Sequence, residues 1–177
     1  MKKISIFTGF GLALVLVILA GLPQAMVSAE GEQLPYKAGG PEFVVQEGPH
    51  PDCGPGRLKT DIQGSGQGTH VGQYSIVRQH CFNLVTFSFE DGTFEQTAAN
   101  GDKVWGTYSG YTAGVLEFAE DGSPVVILIN SPWTITGGTG RFADAQGAGV
   151  AVGVFNLASE SGNFDMDGWV SYSASEQ

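Results

Sequence analysis

Basic side chains are scarce in this sequence. Eight Lys and Arg stand against 18 Asp and Glu in 177 residues, a formal net charge of −10, and two of the basic residues, Lys2 and Lys3, sit at the extreme N-terminus. A surface so short of positive charge repels phosphate backbones and anionic bilayers, which argues against nucleic acid and membrane surfaces as partners. Cysteine is limited to Cys53 and Cys81. If these two pair, no free thiol is left to act as a nucleophile. Missing too, between Arg57 and Gln177, is any apolar pattern of helical period long enough for a packed helix. No serine sits in a nucleophile elbow, and no Lys-Ser/Thr pair follows Gly137, Gly138 and Gly140.

What is present begins with an apolar run. Met1-Lys2-Lys3 leads into Phe10 to Leu22, and Val27-Ser28-Ala29 precedes the first acid, Glu30. A basic start, an apolar middle and a small-x-small site predict a signal peptide over residues 1–29. The competing reading, an uncleaved anchor, meets an apolar run short of the about 20 residues that a bilayer requires. Cleavage makes the mature protein secreted or periplasmic, without membrane attachment, and leaves a length suited to one domain. In such an oxidising compartment a disulfide between Cys53 and Cys81 is the default. His50 and His80 lie close to the two cysteines, which sketches a Cys2His2 metal site. Their spacing matches no recurrent zinc pattern, and oxidation would consume both thiolates, so no metal is expected.

Residues 30–56 are punctuated by Pro35, Gly39, Gly40, Pro41, Gly48, Pro49, Pro51, Gly54, Pro55 and Gly56. They predict an extended arm rather than a helix or a central strand. From Arg57 onward, short β-type runs are separated by Asp91-Gly92, Asn100-Gly101, Asp121-Gly122 and Ser161-Gly162, each a signal for a tight hairpin. Strands are predicted near 57–65, 69–79, 83–90, 93–99, 102–111, 115–119, 124–135, 147–158 and 163–173. The fold class is therefore all-β, an antiparallel meander over residues 57–177. Closure into a barrel of about eight strands would remove its open edges. One face of the run from Gly147 to Leu157 carries Gly149, Ala151, Gly153 and Phe155 and is nearly bare, which suits a tightly curved wall or the close approach of another group.

The stretch Gly138-Thr139-Gly140-Arg141-Phe142-Ala143 fits the dinucleotide-binding pattern G-x-G-x-x-G/A. Only Arg141 to Gln146 separate Gly140 from Gly147, where the chain turns extended again. A parallel crossover needs a dozen or more residues. Gly137, Gly138 and Gly140 are thus expected to form a structural turn between antiparallel strands, at least one with positive φ, with Arg141 and Asp144 pairing locally. No nucleotide or other cofactor is expected.

These residues also carry a resemblance. "GGTGRFADAQGAG", starting at Gly137, resembles the signature G-G-T-G-[RK]-F-x-x-A-x-G of allene oxide cyclase-like barrels and plant dirigent proteins. "GTHVGQY" (Gly68 to Tyr74) and "TAANGDKVWGTYSG" (Thr97 to Gly110) are similar to segments of bacterial secreted proteins with an allene oxide cyclase barrel-like domain. The resemblance implies a calycin-like eight-stranded barrel, a homo-oligomer that is trimeric in the plant members, and an apolar lumen for a hydrophobic small molecule. It also implies cyclisation or radical coupling steered without a cofactor. The Pro/Gly arm and the disulfide depart from the plant members, and no catalytic set carries over residue by residue. Trp105, Tyr108, Trp133 and Tyr172 are candidates for the ligand-binding wall and serve equally well as barrel packing. His70 and Glu95 are weak candidates for proton transfer. Three functions stay open: a barrel that binds a small hydrophobic molecule, a cofactor-free cyclase or isomerase, and a scaffold whose acidic surface or arm contacts a partner.

Overall fold

The structure, a computed structural model, describes residues 32–173. The leader assigned to residues 1–29 lies outside the described residues. Alternating apolar and polar residues build eight strands: β1 (Leu34–Pro49), β2 (Arg57–Gly68), β3 (Gly72–Asn83), β4 (Ser88–Ala98), β5 (Lys103–Phe118), β6 (Pro124–Gly138), β7 (Gln146–Asn156) and β8 (Ser161–Ser171). Each pairs antiparallel with the next, and β8 returns to pair with β1, closing the barrel. The all-β, eight-stranded barrel matches the expectation from the turn spacing.

The segment read as an arm is corrected. Leu34–Pro49 is a full wall strand, hydrogen-bonded to β2 on one side and β8 on the other. Its interruptions are tolerated for a local reason. The β1–β2 register skips Gly40 and Pro41 and resumes at Glu42, whereas the β8 side places Pro41 opposite Asn163. The missing Pro41 N–H therefore breaks one ladder only.

Two turn signals are also corrected, Asp91-Gly92 and Ser161-Gly162, the second of which already belongs to β8, paired with Phe155 and Asn156. Asp91-Gly92 does not reverse the chain; it is a bulge inside β4, with Asp91 at φ 54° and a register shift between Phe89 and Gly92. β5 likewise runs through the gap predicted at 112–114. The true reversals lie at Leu84–Phe87 and Leu157–Glu160. In the first, the Asn83 side-chain oxygen accepts from the backbone N–H groups of Val85 and Thr86. In the second, Asn156 does the same for Ala158 and Ser159. An Asx turn of this kind replaces the Asn-Gly signature.

The turn at Gly137, Gly138 and Gly140 joins β6 to β7, with Gly140 at φ 56°. Its expected ion pair is corrected: Arg141 Nε lies 3.6 Å from Asp102, while Asp144 accepts from the backbone N–H of Ser173 at 3.0 Å. Phe142 tucks inward as a plug, and this swings Arg141 toward the β4–β5 turn and Asp144 toward the end of β8. The connection is pinned to its neighbours rather than to itself. Cys53, in a short 3-10 turn after β1, is disulfide-bonded to Cys81 on β3. The four groups weighed as a metal site do not converge, since the sulfurs bond each other and His80 turns inward.

The lower end of the barrel, which carries the β2–β3, β4–β5 and β6–β7 connections, is packed solid with Tyr36, Val71, Val104, Ile135, Phe142 and Val170. The bare face of β7 points inward, and rings lie across it. A Cβ on Gly153 would collide with the Phe164 ring, and one on Gly168 of β8 would sit 2.8 Å from Trp133. These glycines make room for aromatic cross-sections wider than the wall spacing allows.

Candidate functional site

The upper end, with the β1–β2, β3–β4, β5–β6 and β7–β8 connections, is not filled. It holds an open cup of about 80 Å³. Ile62, Phe82, Phe89, Ile127, Ile129, Phe155, Leu157 and Phe164 supply most of the apolar walls, and Glu42, Glu47, Thr60, Arg78, His80, Tyr108, Thr112 and Ser131 supply the polar atoms. The period-two rule explains much of this set. On β3, Tyr74, Ile76, Arg78, His80 and Phe82 share one face, so the same alternation that buries the lower core carries Arg78 and His80 into the cup.

Besides the exposed Glu47, which accepts from the Thr60 hydroxyl at 3.0 Å, the cup holds two further polar pairs. Glu42 and Arg78 are 4% and 7% exposed, with Arg78 Nη2 3.2 Å from Glu42 Oε1. The guanidinium carbon lies 5.3 Å from the centroid of the Tyr108 ring and 5.7 Å from that of Phe164, contacts that favour a cation over an aromatic face. Glu42 Oε2 and Arg78 Nε have no hydrogen-bond partner among the described residues. Burial raises the Glu42 carboxyl above the usual range, and Arg78 partly opposes this. The pair is a charged floor held in a largely apolar setting.

The second pair is His80 Nδ1 and the Tyr108 hydroxyl, 2.8 Å apart. Phe89 stacks on the imidazole at 4.7 Å between ring centroids, and Tyr108 meets it edge-on. Burial, aided by the Arg78 charge, lowers the His80 pKa to about 4, so the ring is neutral at ordinary pH. Burial also raises the Tyr108 hydroxyl, which stays protonated. Opposite His80, the ladder to β4 is interrupted between Gln79 and Cys81, where the Asp91-Gly92 bulge lies. Glycine is needed there because a Cβ on Gly92 would lie 2.8 Å from the Tyr108 ring. Bulges re-aim side chains, and this one seats the His80–Tyr108 pair.

Of the residues assigned from sequence to the ligand wall or to proton transfer, the structure brings only Tyr108 to the cup. Trp133 is corrected to the packed core, edge-on to Tyr36 at 5.5 Å. Trp105 faces outward, against Gly137, because it falls on the opposite parity of β5 from Tyr108. Tyr172 lies at the lower end, where its hydroxyl meets His70 Nδ1 at 3.0 Å. His70 is spent on that contact and on the Pro35 carbonyl at 3.1 Å, in the β2–β3 turn. Glu95 points outward and pairs with Lys103 at 2.8 Å. Neither His70 nor Glu95 can move a proton in the lumen. Sequence reasoning missed Glu42 and Arg78, and weighed His80 only as a metal ligand. The alternation in "QYSIVRQHCF" contained the signal for the last two, whereas Glu42 was hidden in the supposed arm.

Around the mouth, Leu84, Val85, Phe87, Tyr111, Leu116 and Phe118 are exposed apolar residues. Since Tyr111 is opposite Ser88 at the start of β4, the β5 residues 112–118 rise roughly 20 Å beyond that strand at about 3.3 Å per residue. The cup is thus flanked on one side by a tall apolar hairpin. Comparison of the chain with protein-family models, curated proteins and solved structures returns no match, so the chemistry of this cup stands on its own geometry.

Proposed function

We propose that the protein binds a small hydrophobic molecule in the upper cup and works in an oxidising compartment outside the cytoplasm. The observation that carries this reading is the open cup of about 80 Å³ with carbon-rich walls above a solid lower core. A dry cavity of about 150 Å³ accommodates benzene, and the cup, at about half that volume and open at its mouth, takes in the end of a ligand whose remainder rests against the mouth. The exposed residues at the mouth give the remainder an apolar surface. The disulfide supports the compartment, and the closed meander with its glycine turn supports kinship with allene oxide cyclase-like barrels.

A thermal-shift and native mass-spectrometry screen against apolar metabolites tests the proposal, because a ligand of the folded state raises the melting temperature by mass action. Thr112→Trp, at the mouth, would fill the cup and should abolish the shift. Absence of any bound compound, or an undiminished shift in the filled variant, would overturn it.

The convergence of Glu42, Arg78, His80 and Tyr108 in an apolar setting favours a second reading, a cofactor-free cyclase or isomerase. In it Glu42 or His80, not His70 or Glu95, exchanges the proton. Enantiomeric excess in the product of an allene oxide, lost in both Glu42→Gln and His80→Phe, would support it; a racemic product with the unaltered protein would exclude it.

A further inference from the structure

The hydrogen-bonding state of His80 follows from its partner. The Tyr108 hydroxyl is buried, and its partner in the protein is His80 Nδ1. A buried O–H must donate, and a neutral imidazole has one accepting nitrogen. Tyr108 therefore donates to Nδ1, and the ring hydrogen resides on Nε2. That nitrogen has no partner among the described residues and is not among their buried, unpaired atoms, which leaves it facing the cup. Phe89 stacked on one face and Tyr108 at the edge hold the ring in this orientation.

We propose that the cup selects uncharged apolar molecules that carry one oxygen acceptor, of the ketone, aldehyde or ester type, by donating a hydrogen bond from His80 Nε2 to that oxygen. This rests on the reading of the cup as a binding site. The charge distribution rejects anions. Arg78 is already neutralised by Glu42, and Glu47 stands at the mouth within a strongly acidic protein. A cation is drawn by that same acidic field to the mouth, where the exposed Glu47 accepts from Thr60, but inside the cup it meets Glu42 already paired with Arg78 and a donor at His80 Nε2. What remains is a neutral acceptor on an apolar body.

The test uses cyclopentanone and methylenecyclopentane, which share shape and differ in the acceptor. Both are titrated into the intact disulfide-bonded protein and followed by nitrogen-15 NMR, which also reads the His80 tautomer. The expected results are an Nε2–H tautomer, a preference for the ketone on the order of tenfold, and a change in the Nε2–H signal on ketone binding. In His80→Phe the preference should vanish while the alkene still binds. Tyr108→Phe provides a milder variant should the first not fold; loss of the fixed tautomer should weaken the preference. Equal affinity for the two probes, or an Nδ1–H tautomer in the unaltered protein, would overturn the acceptor rule and leave apolar binding intact. Failure of both probes, and of every apolar metabolite in the wider screen, would overturn the binding reading itself and the acceptor rule with it.

Discussion

Replacing Arg78 by Met isolates the cost of the charged floor. The variant keeps the aliphatic stem against Tyr108 and Phe164 and removes the cation that faces Glu42 at ion-pair distance. Breaking a buried pair in this way costs about 3–5 kcal/mol, because one charge is left without a partner. For a domain of this size a loss of 3 kcal/mol lowers the melting temperature on the order of 10 °C. The loss should depend on pH, with a definite sign. Glu42 already has a raised pKa in the folded state, and without Arg78 burial acts on it unopposed. A carboxyl whose folded pKa lies above its unfolded value binds more protons when folded, so its contribution to stability is full below the unfolded pKa and falls as pH rises toward the folded one. The variant should therefore lie closer to the parent at pH 5 than at pH 8 in urea titrations. Adding Glu42→Gln should recover most of the loss at pH 8. A deficit that is equal at both pH values, or a double variant no better than the single, would refute the claim that Glu42 is held away from water.

Other outcomes follow from neighbouring features. His80 is held neutral with a pKa of about 4 against an ordinary 6.5, so it contributes stability that is full above pH 6.5 and lost as pH falls toward 4. By linkage this is roughly 3 kcal/mol, and the gap in urea midpoint between the parent and His80→Gln should narrow between pH 7 and pH 4.5; a constant gap sinks the assignment. Removing the Cys53–Cys81 bond, which closes a separation of 28 residues, should cost about 3–4 kcal/mol in the chain-entropy model; an unchanged denaturation midpoint in the Cys53→Ser, Cys81→Ser double variant would contradict this. Gly140→Val should lose on the order of 1–2 kcal/mol because Gly140 is left-handed at φ 56°, and titration of NAD into either protein should release no heat. Deleting residues 32–49 removes a wall strand, so the remainder should lose its cooperative thermal transition; a deletion that melts like the parent would restore the reading of this segment as an arm.

The fold was legible from Arg57 onward because antiparallel meanders are governed by local signals. Asn100-Gly101 and Asp121-Gly122 both fall in true turns, and period-two alternation placed Phe164, Met166 and Val170 on one face, which proves to be the inner one. Local signals also misled. Asp-Gly satisfies a bulge as readily as a hairpin, since both use positive φ, and only the partner strand distinguishes them. Proline and glycine in β1 describe the chain's own preferences and carry nothing about β8, whose pairing lies more than a hundred residues away. The cup was hidden for the same reason. Its floor joins Glu42 of the first strand to Arg78 of the third, and the upper or lower position of a ring such as Trp133 or Tyr108 depends on how the barrel is plugged.

Closure by β1 and β8 sets the order in which the protein can be assembled. Seven of the eight ladders join neighbours along the chain and can zip as hairpins, whereas the eighth brings Leu34 to Val170. Such non-local pairing is slow, since the loop must be closed before any contact rewards it. A ribosome completes β1 first and β8 last, so β1 waits with an open edge throughout synthesis, able to template a foreign strand. Natural edge strands discourage this with proline and inward-pointing charge. Pro41 and the inward Glu42 sit side by side midway along β1, where they would disfavour pairing with the wrong chain until β8 arrives and Arg78 receives the carboxylate.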